Sequence, residues 1–578
     1  MTSIIIVCWN NADLTNDCVA SVQAYTPEEH EVIFIDNGST DRTPKLLKKL
    51  SEGRNYKIIS NKENLGYPKA INQGIKASSG DTIVFLNNDV IVSPEWLKGL
   101  LECLNHQPDI GIVGPRTNNI SGRQVFTEGK YQSQFEFVEF ARNFRKSMRR
   151  NYEPWWRIVG FCMLVKREVF DKVGLFDEQF SPGNFEDDDL CIRSILGGYR
   201  NFICNDVFVH HYGSASCKKI DFAGLLKKNQ IKFARKWRAW QNTHNTISCC
   251  MIVKNEEKAI GRCLEGIIPL VDEVIVVDTG STDRTLEILN SHPSEKLKVF
   301  EYEWKDDFSA ARNFADSKAS CDWIFSLDAD EVISEIDRYS LFPVTAYAFE
   351  TRNYCSKPNY KGWRANKAEY PEFEEGLGWF PSTKIRLYPN DRRLHWVYPV
   401  HEVVEPSARA LGIERKLSPI PVHHIGKFNA DWDKEKGEKY YDYLKKVVTD
   451  EPNDLRHIEE LATQAQNLDK FDEAIEMWNK YLGFELDEAS QFNVWLNLGH
   501  CLACQGKNKE SLNASMKAWK LNQESREAAM NVAIVLFRLK DYETARKISA
   551  EIMKKHEDYP IPVAVHGACL EKLGLTGG

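Results

Sequence analysis

The chain has no apolar run approaching the roughly 20 consecutive residues that a membrane-crossing helix needs. Its opening stretch, Met1 to Trp9, carries no cationic leader and only Ile4, Ile5, Ile6 and Val7, so it is expected to be a buried strand, in a chain without an integral membrane segment that resides in the cytoplasm. An excess of positive charge is also missing: 75 Lys and Arg against 83 Asp and Glu give a net charge of -8. That balance removes any general electrostatic reason to bind nucleic acid or anionic lipid. A secreted, disulfide-rich signature is absent as well. The 15 cysteines are scattered singly, which fits reduced thiols rather than a disulfide framework. Cys501 and Cys504 have no second pair nearby to complete a zinc site and read as small hydrophobes on a helix. Nor is there the apolar depletion of a disordered chain, since 42% of the residues are hydrophobic. A length of 578 residues exceeds what one core supports and implies about three domains.

What is present is a duplication. VIFIDNGSTDRTPKLL from Val32 returns as VIVVDTGSTDRTLEIL from Val274, 242 positions later. FLNNDVI, ending at Ile91, matches SLDADEV, ending at Val332, and SIIIVCWNN from Ser3 corresponds to TISCCMIVKNEE from Thr246. Two units over 1–240 and 246–432 are therefore expected. Each alternates apolar strands with helices (Leu14 to Ala24; Glu257 to Ile268), which predicts an α/β parallel sheet with crossover helices and ligands at the carboxyl ends of its strands. Asp36 and Asp278 stand at such ends.

From 433 to 578 the pattern becomes helical throughout. Gly499, Ala533 and Gly567 recur every 34 residues, Ser511 and Ala545 share the spacing, and Trp495 and Leu498 precede Gly499 at tetratricopeptide positions. The segment KFDEAIEMWNKYL around Ala474 supplies an earlier unit. An all-α solenoid with a groove for an extended polypeptide follows.

In the first half, Asp36 precedes the turn Asn37-Gly38-Ser39, where its carboxylate can accept hydrogen bonds from a base or ribose. Asp89 ends a buried strand, where a divalent cation could join it to diphosphate oxygens. IIIVCWNN, IDNGSTDRT, NLGYPKAINQG, FLNNDV and NFEDDDLCIR together resemble family 2 of the glycosyltransferases, which have the GT-A fold. The resemblance implies donor contacts at Asn10, Asp36, Asn64, Gly66 and Asn88, with Asp89 as ligand to manganese or magnesium. It also implies a catalytic base within Glu186, Asp187 and Asp188, Asp187 being favoured, and a further metal ligand at His210 or His211. Asn87 departs from the fuller Asp-x-Asp pattern.

The second half carries that fuller pattern in Asp328-Ala329-Asp330. Asn255 and Glu256 in MIVKNEE and Arg312 and Asn313 in WKDDFSAARNFADSKA resemble a branch of the same family, which implies donor contacts there and at Asp278 and Asp328. No acidic segment like that of the first half follows. STKIRLYPNDRRLHWVYPVHEVVEP instead resembles a branch pattern that puts His401 and Glu402 near the site, either of which could bind metal or take a proton. His424 of PVHHIGKF mirrors the closing histidines of the first half, beside a metal-binding Asp330. The branch includes repeat-bearing enzymes such as peptide S-glycosyltransferases of the sublancin type and lipopolysaccharide-core glucosyltransferases. The resemblance implies a bifunctional inverting transferase moving hexose or N-acetylhexosamine from nucleotide sugars, UDP-sugars first, stepwise onto a protein acceptor such as a flagellin. The alternative is a module of surface-polysaccharide or lipopolysaccharide synthesis with one degenerate half. The basic run Arg142 to Arg150 reads as a solvated helix or as a cover for the donor.

Overall fold

The computed structural model describes residues 1–213, 222–358, 360, 362–425, 430–556 and 559–575. The first sheet contains β1 (Thr2–Cys8), β2 (His30–Asn37), β3 (Tyr56–Asn61), β4 (Thr82–Asn87), β5 (Val90–Ile91), β6 (Ile110–Thr117), β7 (Tyr152–Pro154), β8 (Cys162–Lys166) and β9 (Arg200–His211). Its order is β3-β2-β1-β4-β8-β6-β9-β5, with β7 paired to β9. The second contains β10 (Ile247–Val253), β11 (Glu273–Asp278), β12 (Leu297–Glu301), β13 (Trp323–Ser326), β14 (Glu331–Ile333), β15 (Thr345–Cys355), β16 (Arg364–Ala365), β17 (Gly378–Pro389), β18 (Glu414–Leu417) and β19 (Val422–His424). Its order, β12-β11-β10-β13-β17-β15-β19-β14, repeats the first position for position.

The purely parallel sheet expected from the alternation is corrected in one respect. β3, β2, β1 and β4 are parallel, but β8 runs antiparallel to both β4 and β6, and β17 does the same between β13 and β15. β8 follows β6 after a long excursion carrying the helix Gln134–Ser147, and antiparallel neighbours need no crossover helix between them.

The strands are apolar along their whole length because helices cover both faces. Ile4, Ile6, Val32, Phe34, Val84 and Leu86 pack on one side of the first sheet, while Ile5, Ile33, Ile35, Ile83 and Phe85 pack on the other. Polar staples at the amino ends of the strands are duplicated too. Glu31 accepts from Ser3 Oγ at 2.7 Å, Lys57 Nζ at 2.8 Å and the Ser79 amide at 2.6 Å. Glu273 meets Ser248 Oγ at 2.6 Å, Lys298, and the Ser320 amide at 2.9 Å.

The two units pack through Ile192, Ile195, Trp237 and Val344, with Trp156 and Phe342 against them. Gly412, at φ +70°, lets this contact close: a Cβ there would stand 2.7 Å from the Trp155 amide nitrogen. Helices then run from Ala430 to Lys572 as antiparallel neighbours. Gly499 and Ser511 mark a close crossing, with Ser511 Oγ donating to the Gly499 carbonyl at 2.7 Å, and Ala533 and Ala545 are fully buried at the next. A Cβ on Gly567 would meet nothing within 4 Å, so the last of the three spaced residues marks no crossing. Cys501 is buried as expected, whereas Cys504 is exposed. The helices touch the second unit where Trp363 packs among Ala529, Met530, Ile552 and Tyr559, and where Arg456 Nη2 donates to the His401 carbonyl at 2.8 Å.

Burial alone would raise the Glu31 pKa, but its hydrogen bonds from Lys57, Ser3 and Ser79 outweigh that and bring it from 4.5 down to about 2. A depressed carboxyl contributes stability that is present above pH 4.5 and is lost as pH falls toward 2. Glu31→Gln is expected to lower the stability of the first unit by about 2 kcal/mol at neutral pH. Urea unfolding should show the deficit shrinking as pH falls from 4.5 toward 2, where Glu31 takes up a proton in the unfolded chain before it does in the folded one.

Candidate active sites

At the carboxyl end of β2, the Asp36 carboxylate is buried and accepts the Ser39 amide at 3.0 Å. The turn after β1 closes on it: Asn10, at φ +60°, donates its amide to Ser39 Oγ at 2.9 Å, and its side-chain oxygen accepts the Thr40 amide at 2.8 Å. The second unit repeats this atom for atom. Asn255, at φ +58°, donates to Ser281 Oγ at 2.9 Å and accepts the Thr282 amide at 2.7 Å, while Asp278 accepts Gly280 and Ser281 amides, each at 3.0 Å. The amide of Glu256 donates to Thr285 Oγ1 at 2.8 Å, fixing the start of the next turn.

Several residues expected at the donor turn out to frame it. Asn88 donates to Thr15 Oγ1 at 2.8 Å, bracing the end of β4 against the Asn10 turn. Asn64 accepts from Asn37 Nδ2 at 2.8 Å and from the Gly66 amide at 2.9 Å. Gly66, at φ +85°, lies so close to the loop before the acidic helix that a Cβ would stand 2.7 Å from Pro182 Cα. Asn313 departs from the expected donor contact, because both ends of its amide bracket the backbone of Trp396 at 2.9 and 2.8 Å. Asn72 holds Phe176 in the same way at 2.9 and 3.1 Å.

Asp89 follows β4 and faces His211 on β9, with Oδ1 3.3 Å from Nε2. The pairing of Val90 with His211 sets this approach. His211 Nδ1 donates to the Asn119 carbonyl at 2.8 Å, which fixes the proton on that nitrogen and turns Nε2 toward the carboxylate. Burial would lower the His211 pKa, but the hydrogen bond and charge of Asp89 raise it overall. His210 points away from Asp89: its Nδ1 lies 2.7 Å from Tyr131 Oη in an aromatic cluster around Phe137 and Phe208.

The second unit repeats this pair as well. Glu331 lies opposite His424, and His424 Nε2 approaches Asp330 Oδ2 at 2.8 Å. Asn353 donates its Nδ2 to the Phe380 carbonyl and Ser382 Oγ, so its Oδ1 accepts from His424 Nδ1 at 2.9 Å and again leaves Nε2 toward the acid. His423, like His210, meets a tyrosine, Tyr354 Oη, at 2.8 Å. A carboxylate oxygen and an imidazole nitrogen bound at about 2.0–2.2 Å to one ion sit about 3 Å apart, and a carbonyl on the far nitrogen is the usual support for such a ligand. Asp89 with His211, and Asp330 with His424, fit a divalent cation.

The acidic run opens the helix Glu186–Leu196, where the free amides of a helix start favour negative charge. Its four carboxyls divide. Asp189 is fully buried and paired with Arg193 at 2.8 Å and Lys236 at 2.7 Å, and Asp188 is drawn to Arg157 at 2.5 Å. Glu186 and Asp187 have no cationic partner among the described residues. Asp187 accepts the Gly160 amide at 2.8 Å, and the adjoining Phe161 ring stacks on His211 with centroids 5.2 Å apart, linking the acid helix to Asp89. Burial, followed by the charge of Asp187, pushes the Glu186 carboxyl well above the usual range, and one of its oxygens is buried without a hydrogen bond. Tyr67, unrecognised from sequence, donates to the Gly160 carbonyl at 3.2 Å; burial and the nearby Glu186, Asp187 and Asp89 raise its pKa.

In the second unit Glu402 lies half-buried beside Arg312. Arg312 joins it, Nε to Oε1 at 2.6 Å, and reaches Asp328 Oδ1 at 2.5 Å. His401 is exposed, at φ +52°, and engages the helices through its carbonyl. Lys384 Nζ lies 3.1 Å from Asp328 Oδ2, and Arg386 pairs with Glu331, both residues almost fully buried. Against the cost of burial, Lys384, Arg312 and Arg386 hold the Asp328 carboxyl well below the ordinary range. Lys384 and Arg386 stand in TKIRLY, where their alternation along one strand was a readable signal. The basic run of the first unit does not reach its site through Arg145, which is tied to Glu102 at 2.9 Å and Asp206 at 3.4 Å.

The Glycosyl transferase family 2 model matches residues 3–174 and 248–389, more than half of the chain. A TPR repeat-containing protein of Synechococcus elongatus is 32% identical over 217 residues, 36% of this chain and 49% of that protein. Poly-beta-1,6-N-acetyl-D-glucosamine synthase of Staphylococcus aureus is 34% identical over 200 residues, 34% of this chain and 46% of the synthase. The chain thus spans about half the length of the curated relatives it matches. Among solved structures, the mannosyltransferase PcManGT from Pyrobaculum calidifontis, in complex with GDP-Man and Mn2+, aligns with 18% identity and a TM-score of 0.30 over 40% of this chain and 64% of that one. With matched segments that each carry one of the duplicated strand-end acid motifs, the chain belongs to glycosyl transferase family 2.

Proposed function

We propose that both units, 1–240 and 246–432, are inverting glycosyltransferases that use nucleotide sugars, UDP-sugars first, and that they act in sequence on a polypeptide acceptor held by the helices from 433 onward. The observation that carries the reading is the repeated carboxylate–imidazole pair, Asp89 with His211 and Asp330 with His424, at the carboxyl ends of parallel strands that also bear Asp36 and Asp278. A parallel sheet gathers its ligands there. Manganese or magnesium held by these pairs would supply Lewis-acid charge against the departing diphosphate.

The chain's own groups account for the remaining tasks. Asp36 and Asp278 accept hydrogen bonds from the nucleoside, held in place by the turns of Asn10 and Asn255. Asp187 takes the proton of the acceptor hydroxyl as its oxygen attacks the anomeric carbon, and the Gly160 amide keeps that carboxylate aimed. In the second unit Glu402 has the corresponding place, oriented by Arg312. The unlike acids and cations of the two sites support unlike sugars or linkages. Contact of the helices with the loop of His401 supports delivery of the acceptor to the second site, at the least. A second reading, in which the acceptor is a growing saccharide, draws on the synthase relative named above.

Asp89→Ala and Asp330→Ala should each cost about a hundredfold or more in transfer at their own site and leave acceptors of different glycan mass by intact mass spectrometry. Complete loss in one variant with no change in the other would sink the stepwise order, and product only on a saccharide would favour the second reading. Asp187→Asn should lower kcat of the first transfer by about 10²–10⁴ while changing donor affinity little, as single-turnover and nucleotide-binding measurements can separate.

A further inference from the structure

The staples and brackets that the two units share allow their sites to be compared residue by residue. Ser79 and Ser320 both donate to the strand-start glutamates, and Asn72 and Asn313 both bracket an aromatic backbone. One residue before the asparagine anchor, Ile71, fully buried in the first core, stands where Arg312 stands in the second. The strand pairs Val84–Leu164 and Phe325–Leu387 also correspond, and counting from them along β8 and β17 sets Met163 against Arg386 and Phe161 against Lys384. Three apolar side chains of one unit are thus three cations in the other.

Buried charge costs several kcal/mol unless it is paired or used. Arg386 is ion-paired with Glu331, in a bidentate contact that supports the strand end. Arg312 and Lys384 are placed differently, because both converge on one carboxylate, Asp328, from its two oxygens, at the strand end that faces the donor. Arg312 is shared with Glu402, whereas Lys384 has Asp328 as its one ion-pair partner among the described residues. Lys384 is also the more accessible, with 28% of its side chain exposed, and it reaches Asp328 from the end of a flexible stem. The first site has nothing comparable: Asn87 stands in the place of Asp328, and Phe161, in the place of Lys384, stacks on His211.

We infer that Lys384, together with Arg312, is a binding site for the donor's diphosphate in the second unit, so that this site adds fixed side-chain cations to its carboxylate–imidazole pair whereas the first has that pair alone. The inference rests on the reading of the second unit as a nucleotide-sugar site. In the absence of a ligand the two cations rest on Asp328; a diphosphate offers them a charge-assisted alternative, which leaves Asp328 to the nucleotide side.

The test is calorimetric titration of the full chain with UDP and UMP, and with GDP and GMP, in EDTA and then in manganese. The expected result is one diphosphate bound per chain in EDTA, tighter than the monophosphate, and a second only with manganese. Lys384→Met should weaken the metal-free event by roughly tenfold or more, and Lys384→Arg should restore it. Metal-free binding that is absent from the wild type, that shows no preference for the diphosphate, or that is unchanged in Lys384→Met overturns the inference and leaves the two-site reading standing. A single equivalent per chain even in manganese, abolished by Asp36→Ala, overturns the reading of the second unit and the inference with it.

Discussion

Everything proposed for the two sites depends on a short stretch of strand pairing. Val90 opposite His211, and Glu331 opposite His424, bring a histidine from the end of each unit's chain onto the acid that ends its central parallel strand. A slip of one residue would turn each imidazole to the other face, where His210 and His423 meet tyrosines instead. The far nitrogen of each inward histidine is tied to a carbonyl oxygen, of the Asn119 backbone or the Asn353 side chain, so register and tautomer are set together.

Around this shared element the units have diverged in electrostatics rather than in frame. The strand-end turns of Asn10 and Asn255 and the amide brackets of Asn72 and Asn313 are preserved to a few tenths of an ångström. The first site collects carboxyls, Glu186 and Asp187, at a helix start, and disposes of their neighbours Asp188 and Asp189 in ion pairs. The second sets Glu402 and Asp328 on either side of Arg312, with Lys384 on Asp328 as well. A carboxylate crowded by like charge and one held by a guanidinium are differently disposed to take a proton, which gives two chemistries on one backbone a physical basis.

The helices complete the second unit rather than hang from it. Trp363 is buried among their side chains, and Phe308 of the second unit lies 5.8 Å from Tyr440 of the first of these helices, ring to ring. Burial, with Glu402 and Asp328 nearby, raises the Tyr440 pKa, so this helix borders the second site.

Much of this was legible in the residues. Continuous apolar runs such as VIFI and TIVFL declared strands covered on both faces, and the repeat of IDNGSTDRT declared the duplication, because strand-end turns need those small and polar residues at those places. Asp36, Asp89, Asp330 and the acidic run could be found for the same reason. Which residues frame the site and which face it was not legible: Asn88, Asn313 and Asp188 have the right chemistry, but their hydrogen bonds are spent on neighbours distant in sequence. The choice of His211 over His210 depended on strand register, and the convergence of Lys384 and Arg312 on Asp328 on the pairing of β13 with β17. Local pattern by itself determined the strands, the duplication and the acids at the strand ends, since these follow from the side chains of one segment. The partners of those acids come from segments that only the folded sheet brings within a hydrogen bond, so the tertiary structure alone decided them.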